Sequence, residues 1–386
     1  MRKKLLAIAA VSLMATATMT ACDDAGDSSD TSSGSGSSGS GNGKARVGVI
    51  LPDTESSARW GNEDPNYLKA AFDAAKVPVE IVNAKGDRAK FVQYGEQMVN
   101  SGVKVLVIAN LDSVSGKAVL AKAKAKKIPT IDYDRLTLNG GADYYVSFDN
   151  KEVGNLQAYG LIKCLQTKGT PNPVVAQLNG SPSDNNAHLF KEGYDIPLNV
   201  KYDAAEFTKG PEQWVQDWDP EAATAVFEQM ISQAPKIRGV LAANDGIANA
   251  VIQVLRKRKL NGVVPVTGQD ATVEGLQNLL TGDQCMTVYK AVNQEASSAA
   301  NVAVQLFKGQ APDVRGSLKD PESGAYIKFV GLTPKAITLK NINDVVGEGK
   351  YVPQAKLCTG KFLDLCKQHK VGSYATSEPD EDEDNG

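Results

Sequence analysis

The sequence predicts an α/β protein of two doubly wound parallel-sheet lobes. From Lys44 onward, short apolar runs alternate with stretches of helical period, the pattern of a βα series. Val103–Ile108 is apolar without alternation, as a parallel strand covered on both faces must be. The series restarts after Asn150, and 386 residues exceed what one small core accommodates.

Arg46–Leu51 reads as the first strand, Tyr67–Ala75 as a helix and Val79–Val82 as the second strand. Phe91, Val92, Gly95, Met98 and Val99 recur at helical spacing, with Gly102 placed to end that helix. Strand Val103–Ile108, a helix through Ala118–Ala125 and strand Ile128–Ile131 complete the first series. In the second, helix Val153–Leu165 leads to strand Val174–Leu178 and to a helix near Asn186–Gly193. Helix Glu221–Ile231 then precedes strand Gly239–Ala243, and helix Ile247–Leu255 precedes strand Val264–Thr267. Helix Val273–Leu280 and strand Met286–Tyr289 follow.

Ahead of the lobes, Arg2, Lys3 and Lys4 lead into an apolar stretch, Leu5–Met14, and small residues run to Thr20-Ala21-Cys22. This is the pattern of a secretory signal, residues 1–21, ending in a lipobox-like site that would place a lipid anchor on Cys22. The Ser/Gly/Asp tract 22–43 has too little apolar surface to fold and reads as a tether. The acidic end, 371–386, reads as a disordered tail. An extracytoplasmic, membrane-anchored monomer is therefore expected. The formal charge is −3, or −6 without the three basic residues of the signal, so nucleic acid is not an expected partner. Four cysteines remain after Cys22, and an even count in an exported protein points to disulfides. Cys358 and Cys366 are close enough in sequence to close a small loop. Cys164 and Cys285 would then pair by elimination or stay as buried thiols.

Ligands of doubly wound sheets sit beyond the carboxyl ends of the strands. Those ends carry Ser56-Ser57-Ala58-Arg59-Trp60, Tyr133-Asp134-Arg135, Ser147-Phe148-Asp149-Asn150, Gly180-Ser181-Pro182 with Asp184-Asn185-Asn186, Gly268-Gln269-Asp270 and Met286-Thr287-Val288-Tyr289-Lys290. In this order, over about Lys44 to Val352, they resemble the xylose-binding and multiple-sugar-binding branch of the type I periplasmic binding proteins of bacterial ABC importers. The resemblance implies two lobes joined by three hinge strands and closing on one monosaccharide, with an ABC permease and ATPase as partners and no cofactor. It places the crossings near Ser147–Asn150, near Thr287–Lys290 and after Pro312. The N-terminal lobe is then 44–148 plus 289–318, and the C-terminal lobe 149–288 plus 319–370.

The implied site joins two chemistries. Trp60 and Trp218 would stack on the apolar faces of a pyranose. Asp134 and Asp270 would accept from hydroxyls, while Arg59, Arg135 and Lys290 donate through charge-assisted hydrogen bonds. Asn185 and Asn244 add paired amides, with Asn186 the alternative to Asn185. Asp245, in an Asp-Gly pair, is read as a turn outside the site. D-xylose is the first expected ligand, with glucose, galactose and arabinose open. The rivals are a sugar receptor for a membrane sensor and a glycoside-acting enzyme. Against catalysis, His188 and His369 lie far from any strand-end nucleophile, and neither a Gly-x-Ser-x-Gly elbow nor a phosphate loop occurs.

Overall fold

The computed structural model describes residues 45–375; the expected signal, Cys22, the tether and residues 376–386 lie outside them. In the first lobe, strands β1 (Val47–Leu51), β2 (Val79–Asn83), β3 (Val105–Ile108), β4 (Thr130–Tyr133) and β5 (Tyr144–Phe148) alternate with helices α1 (Glu63–Ala74), α2 (Arg88–Asn100) and α3 (Ser113–Ala125). They pair in parallel in the order β2-β1-β3-β4-β5, a doubly wound sheet. Both faces are covered. Val47, Val49 and Leu51 of β1 join one apolar cluster with α1, and Ile50 joins another with α2 and α3.

The second lobe repeats the design with α4 (Asn150–Lys168), β6 (Val174–Asn179), α5 (Asn185–Asp203), β7 (Thr208–Trp214), α6 (Pro220–Gln233), β8 (Ile237–Ala242), α7 (Asp245–Lys257), α8 (Val273–Thr281) and β9 (Thr287–Tyr289). Its strands run β7-β6-β8, the same order as β2-β1-β3. Side-chain caps start these helices: Asp184 accepts from Asn186 N on α5, and Asn244 from Ile247 N on α7. The expected strand Val264–Thr267 is reduced to one parallel bridge, Val240 to Val266. Pro265 has no N–H to extend a ladder, although its carbonyl accepts from Val240 N at 2.9 Å.

The chain then returns to the first lobe through α9 (Val292–Phe307), which packs beside α1, and continues as β10 (Ser317–Lys319), β11 (Tyr326–Leu332) and β12 (Lys335–Ile337). Here the expected boundary at 318 is corrected. β10 and β11 form a hairpin on the first sheet, β11 runs parallel to β5, and Ile327 is buried with Leu136 and Tyr145. Residues 319–332 thus belong to the N-terminal lobe, and the third crossing lies between Leu332 and Lys335. The crossings stand side by side: Asp149 N donates to Leu332 O at 2.9 Å, and β12 pairs antiparallel with β9.

Residues 338–374 pack over α8, and the expected start of the tail at 371 is also corrected. Val371 is fully buried beside Leu357 and Cys366, and Gly372–Ala375 forms a 3-10 turn. Cys164 is bonded to Cys285 and Cys358 to Cys366, with Cα separations of 6.4 and 5.8 Å. No described helix is long and apolar enough to cross a membrane.

Burial pushes Asp132, at the end of β4, up to about 7, against the hydrogen bonds it accepts from Thr137. A carboxyl that titrates near 3.8 when unfolded therefore favours the fold below pH 4 and loses that advantage as pH climbs to about 7. Relative to wild type, D132N should gain stability across this window, by on the order of a few kcal/mol at most. Thermal melts of both proteins from pH 4 to 8 check this; parallel pH profiles would contradict it.

Candidate functional site

The strand ends of both lobes converge on a small, half-open cavity of 30 Å³ between them. Its walls include Arg59, Trp60, Asp134 and Arg135 from the first lobe and Trp218, Asn244 and Asp270 from the second, with Lys290 at the end of hinge strand β9. The structure thus brings together eight of the nine residues expected there. The exception is Asn185, which is half-buried on the first turn of α5 and does not line the cavity. Its neighbour Asn186 does. Helical geometry turns consecutive residues about 100° apart, so one of two adjacent amides faces the cleft. Asn186 Nδ2 donates to Asp134 O and Oδ1 at 3.0 and 3.1 Å, and its Oδ1 accepts from Asn150.

The two central carboxylates are placed by one backbone device used twice. Asp134 follows β4 and Asp270 the segment that bridges at Val266, both at positive φ, 62° and 97°. Each donates its N–H to the neighbouring strand at 2.8 Å, Asp134 to Val146 and Asp270 to Val288. This turns both side chains out of their sheets and toward each other. Lys290 Nζ lies between them, 3.6 Å from Asp134 and 3.5 Å from Asp270.

Cations and carboxylates neutralise each other here. Arg59 is ringed by Asp64, Asp134 and Glu295 at 2.6, 2.9 and 2.5 Å. Arg135 meets Asp184 at 3.1 Å and Asp53 at 3.8 Å. Burial alone would raise Asp134, but Lys290, Arg59 and Arg135 outweigh it and hold the carboxyl at about 2. Burial likewise opposes the charge on Lys290, yet Asp134 and Asp270 keep it above its ordinary value. Asp134 and Lys290 are both held in their charged forms at neutral pH, which suits donation and acceptance rather than proton transfer.

Several contacts span the lobes. Ser57 Oγ donates to Asp270 at 2.8 Å, and Asn244 Nδ2 to Ser56 O at 2.9 Å. Three polar atoms in the cavity wall, Trp60 Nε1, Gln269 Oε1 and Asp270 Oδ1, are buried without a hydrogen-bond partner. They are the groups a hydroxylated ligand would satisfy. The Trp60 ring has the guanidinium carbons of Arg59 and Arg135 at 4.4 and 5.5 Å from its centre. Trp218, left-handed at φ 60°, is held by Nε1 donating to Asp184 at 3.1 Å and by edge contact with Phe190. Among the described residues no cluster of three or more metal-ligating side chains occurs.

The family profile of the periplasmic binding protein domain matches residues 47–311. The D-xylose-binding periplasmic protein of Escherichia coli K12 is 33% identical over 315 residues, covering 81% of this chain and 93% of its own. The multiple sugar-binding periplasmic receptor of Rhizobium radiobacter is 31% identical over 328 residues, covering 80% and 91%.

This chain belongs to the type I periplasmic sugar-binding proteins.

A solved relative agrees in fold. An ABC transporter solute-binding protein from Clostridium phytofermentans with bound β-D-glucose superposes on this periplasmic binding protein with a TM-score of 0.71 at 27% identity, covering 81% of this chain and 99% of that one.

Reading strand ends alone overlooked residues that act from helices. Glu295 faces Arg59 from α9, and Asp64 from the first turn of α1. Glu295 falls among the buried small residues of α9, Ala296 and Ala299, and that setting was its one sequence signal. Asp245 is outside the cavity as expected, but it is no exposed turn: fully buried at the start of α7, it accepts from Thr272, Gln284 and Thr287.

A Cβ on Gly180 would overlap the Trp218 ring, whereas one on Gly246 would meet nothing nearer than 3.5 Å. G180A should therefore cost about 1–3 kcal/mol of stability through overpacking, and G246A close to nothing. Chemical denaturation followed by tryptophan fluorescence distinguishes them, and equal stabilities would refute the packing role of Gly180.

Proposed function

We propose that this protein is the substrate-binding component of an ABC sugar importer that takes one aldopyranose, D-xylose first, between its lobes. The observation that carries the reading is the paired set Asp134 and Asp270, on either side of Lys290, with Trp60 and Trp218 in the same wall. Vicinal hydroxyls of a sugar ring match such fixed donors and acceptors, and the C–H faces match the indoles. The relatives named for xylose and multiple sugars and the neighbour holding glucose support the same ligand class.

Ligand pockets for small molecules typically measure about 300–1,000 Å³, so the cavity of 30 Å³ must widen before a sugar enters. The bonds that yield are those across the lobes, among them Ser57 to Asp270, Asn244 to Ser56, Asn186 to Asp134 and Arg135 to Asp184. A bound sugar replaces them with contacts to both lobes, which is how it favours closure. The closed form then docks on the permease, from a tether anchored by lipid on Cys22. The lipobox-like sequence supports that anchor, and C22S should release the protein from the membrane fraction.

Isothermal titration of the full chain with D-xylose, D-glucose, D-galactose and L-arabinose tests the reading. At least one should bind at about 1 μM or tighter, near −8 kcal/mol. D270N should weaken that binding at least tenfold, or about 1.4 kcal/mol, while melting near the wild-type temperature without sugar. No binding by any of the four sugars, or an unchanged affinity in D270N, would overturn the assignment.

A further inference from the structure

Arg59 stands in the cavity wall, but most of its hydrogen bonds point away from the cavity. Its guanidinium has five N–H groups. Nε donates to Asp64 Oδ2 at 2.7 Å, and Nη2 donates to Asp64 Oδ1 at 2.6 Å and to Glu295 Oε2 at 2.5 Å. One N–H of Nη1 goes to Asp134 Oδ2 at 2.9 Å. A single N–H on Nη1 remains. Asp64 and Glu295 are both fully buried, and neither lines the cavity.

We infer that Asp64 and Glu295 are positioning residues for ligand recognition: together they clamp the Arg59 guanidinium so that one Nη1 N–H is aimed at one hydroxyl of the sugar. The inference rests on the sugar-binding reading of the site. The clamp is built from packed elements rather than loops. Asp64 lies in α1 and Glu295 in α9, helices that pack side by side against the first sheet. Asp64 binds Arg59 in a two-point fork, the geometry that fixes the guanidinium plane. It also accepts from Tyr133 Oη at 2.6 Å, which ties the fork to β4. The Tyr133 oxygen is 3.4 Å from Arg59 Nη2. Glu295 then closes the third side, so that the plane can neither rotate nor slide.

The charges make sense of a third carboxyl at this point. Around Glu295 stand Arg59, Asp64, Asp134 and Lys290, with Tyr133 and Tyr145 within electrostatic reach. Burial raises the Glu295 carboxyl well above its ordinary value, and Asp134 and Asp64 add to the rise against Arg59 and Lys290. Its Oε2 accepts from Arg59 Nη2 at 2.5 Å in either protonation state. A glutamine supplies an acceptor of the same reach, and an alanine supplies none.

A purely structural role would lower stability and scale the affinity for every sugar alike. A clamp has a narrower signature, because only the hydroxyl addressed by Arg59 depends on it. The experiment measures dissociation constants of the full chain, wild type and D64N, E295A and E295Q, for D-xylose, D-glucose and their monodeoxy derivatives at each ring position. In wild type, one deoxy derivative should lose at least tenfold. E295A and D64N should bind the parent sugar at least tenfold more weakly, and removing that same hydroxyl should then cost no more than about twofold. E295Q should restore what E295A loses. Variants that weaken all sugars equally, keep the full deoxy penalty or bind as wild type would overturn the clamp.

A second readout works without sugar and covers a variant that fails to fold. The Arg59 side-chain Nε–H should exchange slowly with solvent in the NMR spectra of wild type and E295Q, and at least tenfold faster in E295A or D64N. Fast exchange in wild type overturns the clamp. A slow Nε–H in a wild type that binds none of the sugars leaves the clamp standing and overturns the sugar reading alone.

Discussion

Charges buried where the two lobes meet must neutralise one another in place, and the rest of the structure is arranged around that requirement. Asp134 is the centre of it. Arg59 reaches it from the turn after β1, Lys290 from the end of β9, and Asn186 from the second lobe. An uncompensated ion at such depth would cost several kcal/mol, so no member of the group can be moved alone. The segment after β1, the end of β4 and the second crossing are each held in register by what they bring to this one carboxylate. The same dependence explains why the hinge lies where it does: a crossing strand that carries Lys290 into the group cannot drift sideways along the sheet.

The duplicated fold gives that group its shape. Each lobe is wound in the same strand order and carries an aspartate at positive φ bonded to the neighbouring strand, Asp134 after β4 in one and Asp270 after the Val266 bridge in the other. Two equivalent carboxylates thus face each other because two equivalent lobes do. Grooves of 530 and 670 Å³ flank this small cavity and share Ser56, Ser57, Arg135 and Asp184 among its walls. The direct bonds across the lobes are polar, whereas the crossings are tied together by backbone pairing, β12 with β9 and Asp149 with Leu332.

The sequence made the alternation of strands and helices legible because parallel strands covered on both faces are uniformly apolar, as Val105–Ile108 is. It made the cleft legible because polar residues after such runs stand out, which is how Arg59, Asp134, Asp270 and Lys290 could be read. Three things escaped it. β7 contains Gly210 and Pro211 and lies at a sheet edge, so it carries no strand-like run. β11 buries only Ile327 fully and sits beyond the expected boundary, and its pairing with β5 assigns it to the first lobe. The choice between Asn185 and Asn186 is a matter of helical phase, which two identical neighbours cannot signal.

Asp184 shows why stacking and hydrogen bonding cannot be treated as separate contributions to this site. One of its oxygens receives both the Trp218 indole N–H and the Arg135 guanidinium, each at 3.1 Å, while the other caps α5. Trp218 occupies a left-handed conformation that a bulky side chain adopts at a cost, and its hydrogen bond to Asp184 offsets part of that cost. Arg135, however, belongs to the other lobe, so the contact at Asp184 is complete only when the lobes meet. The Trp218 indole is thus placed by a carboxylate that is itself met from the other lobe.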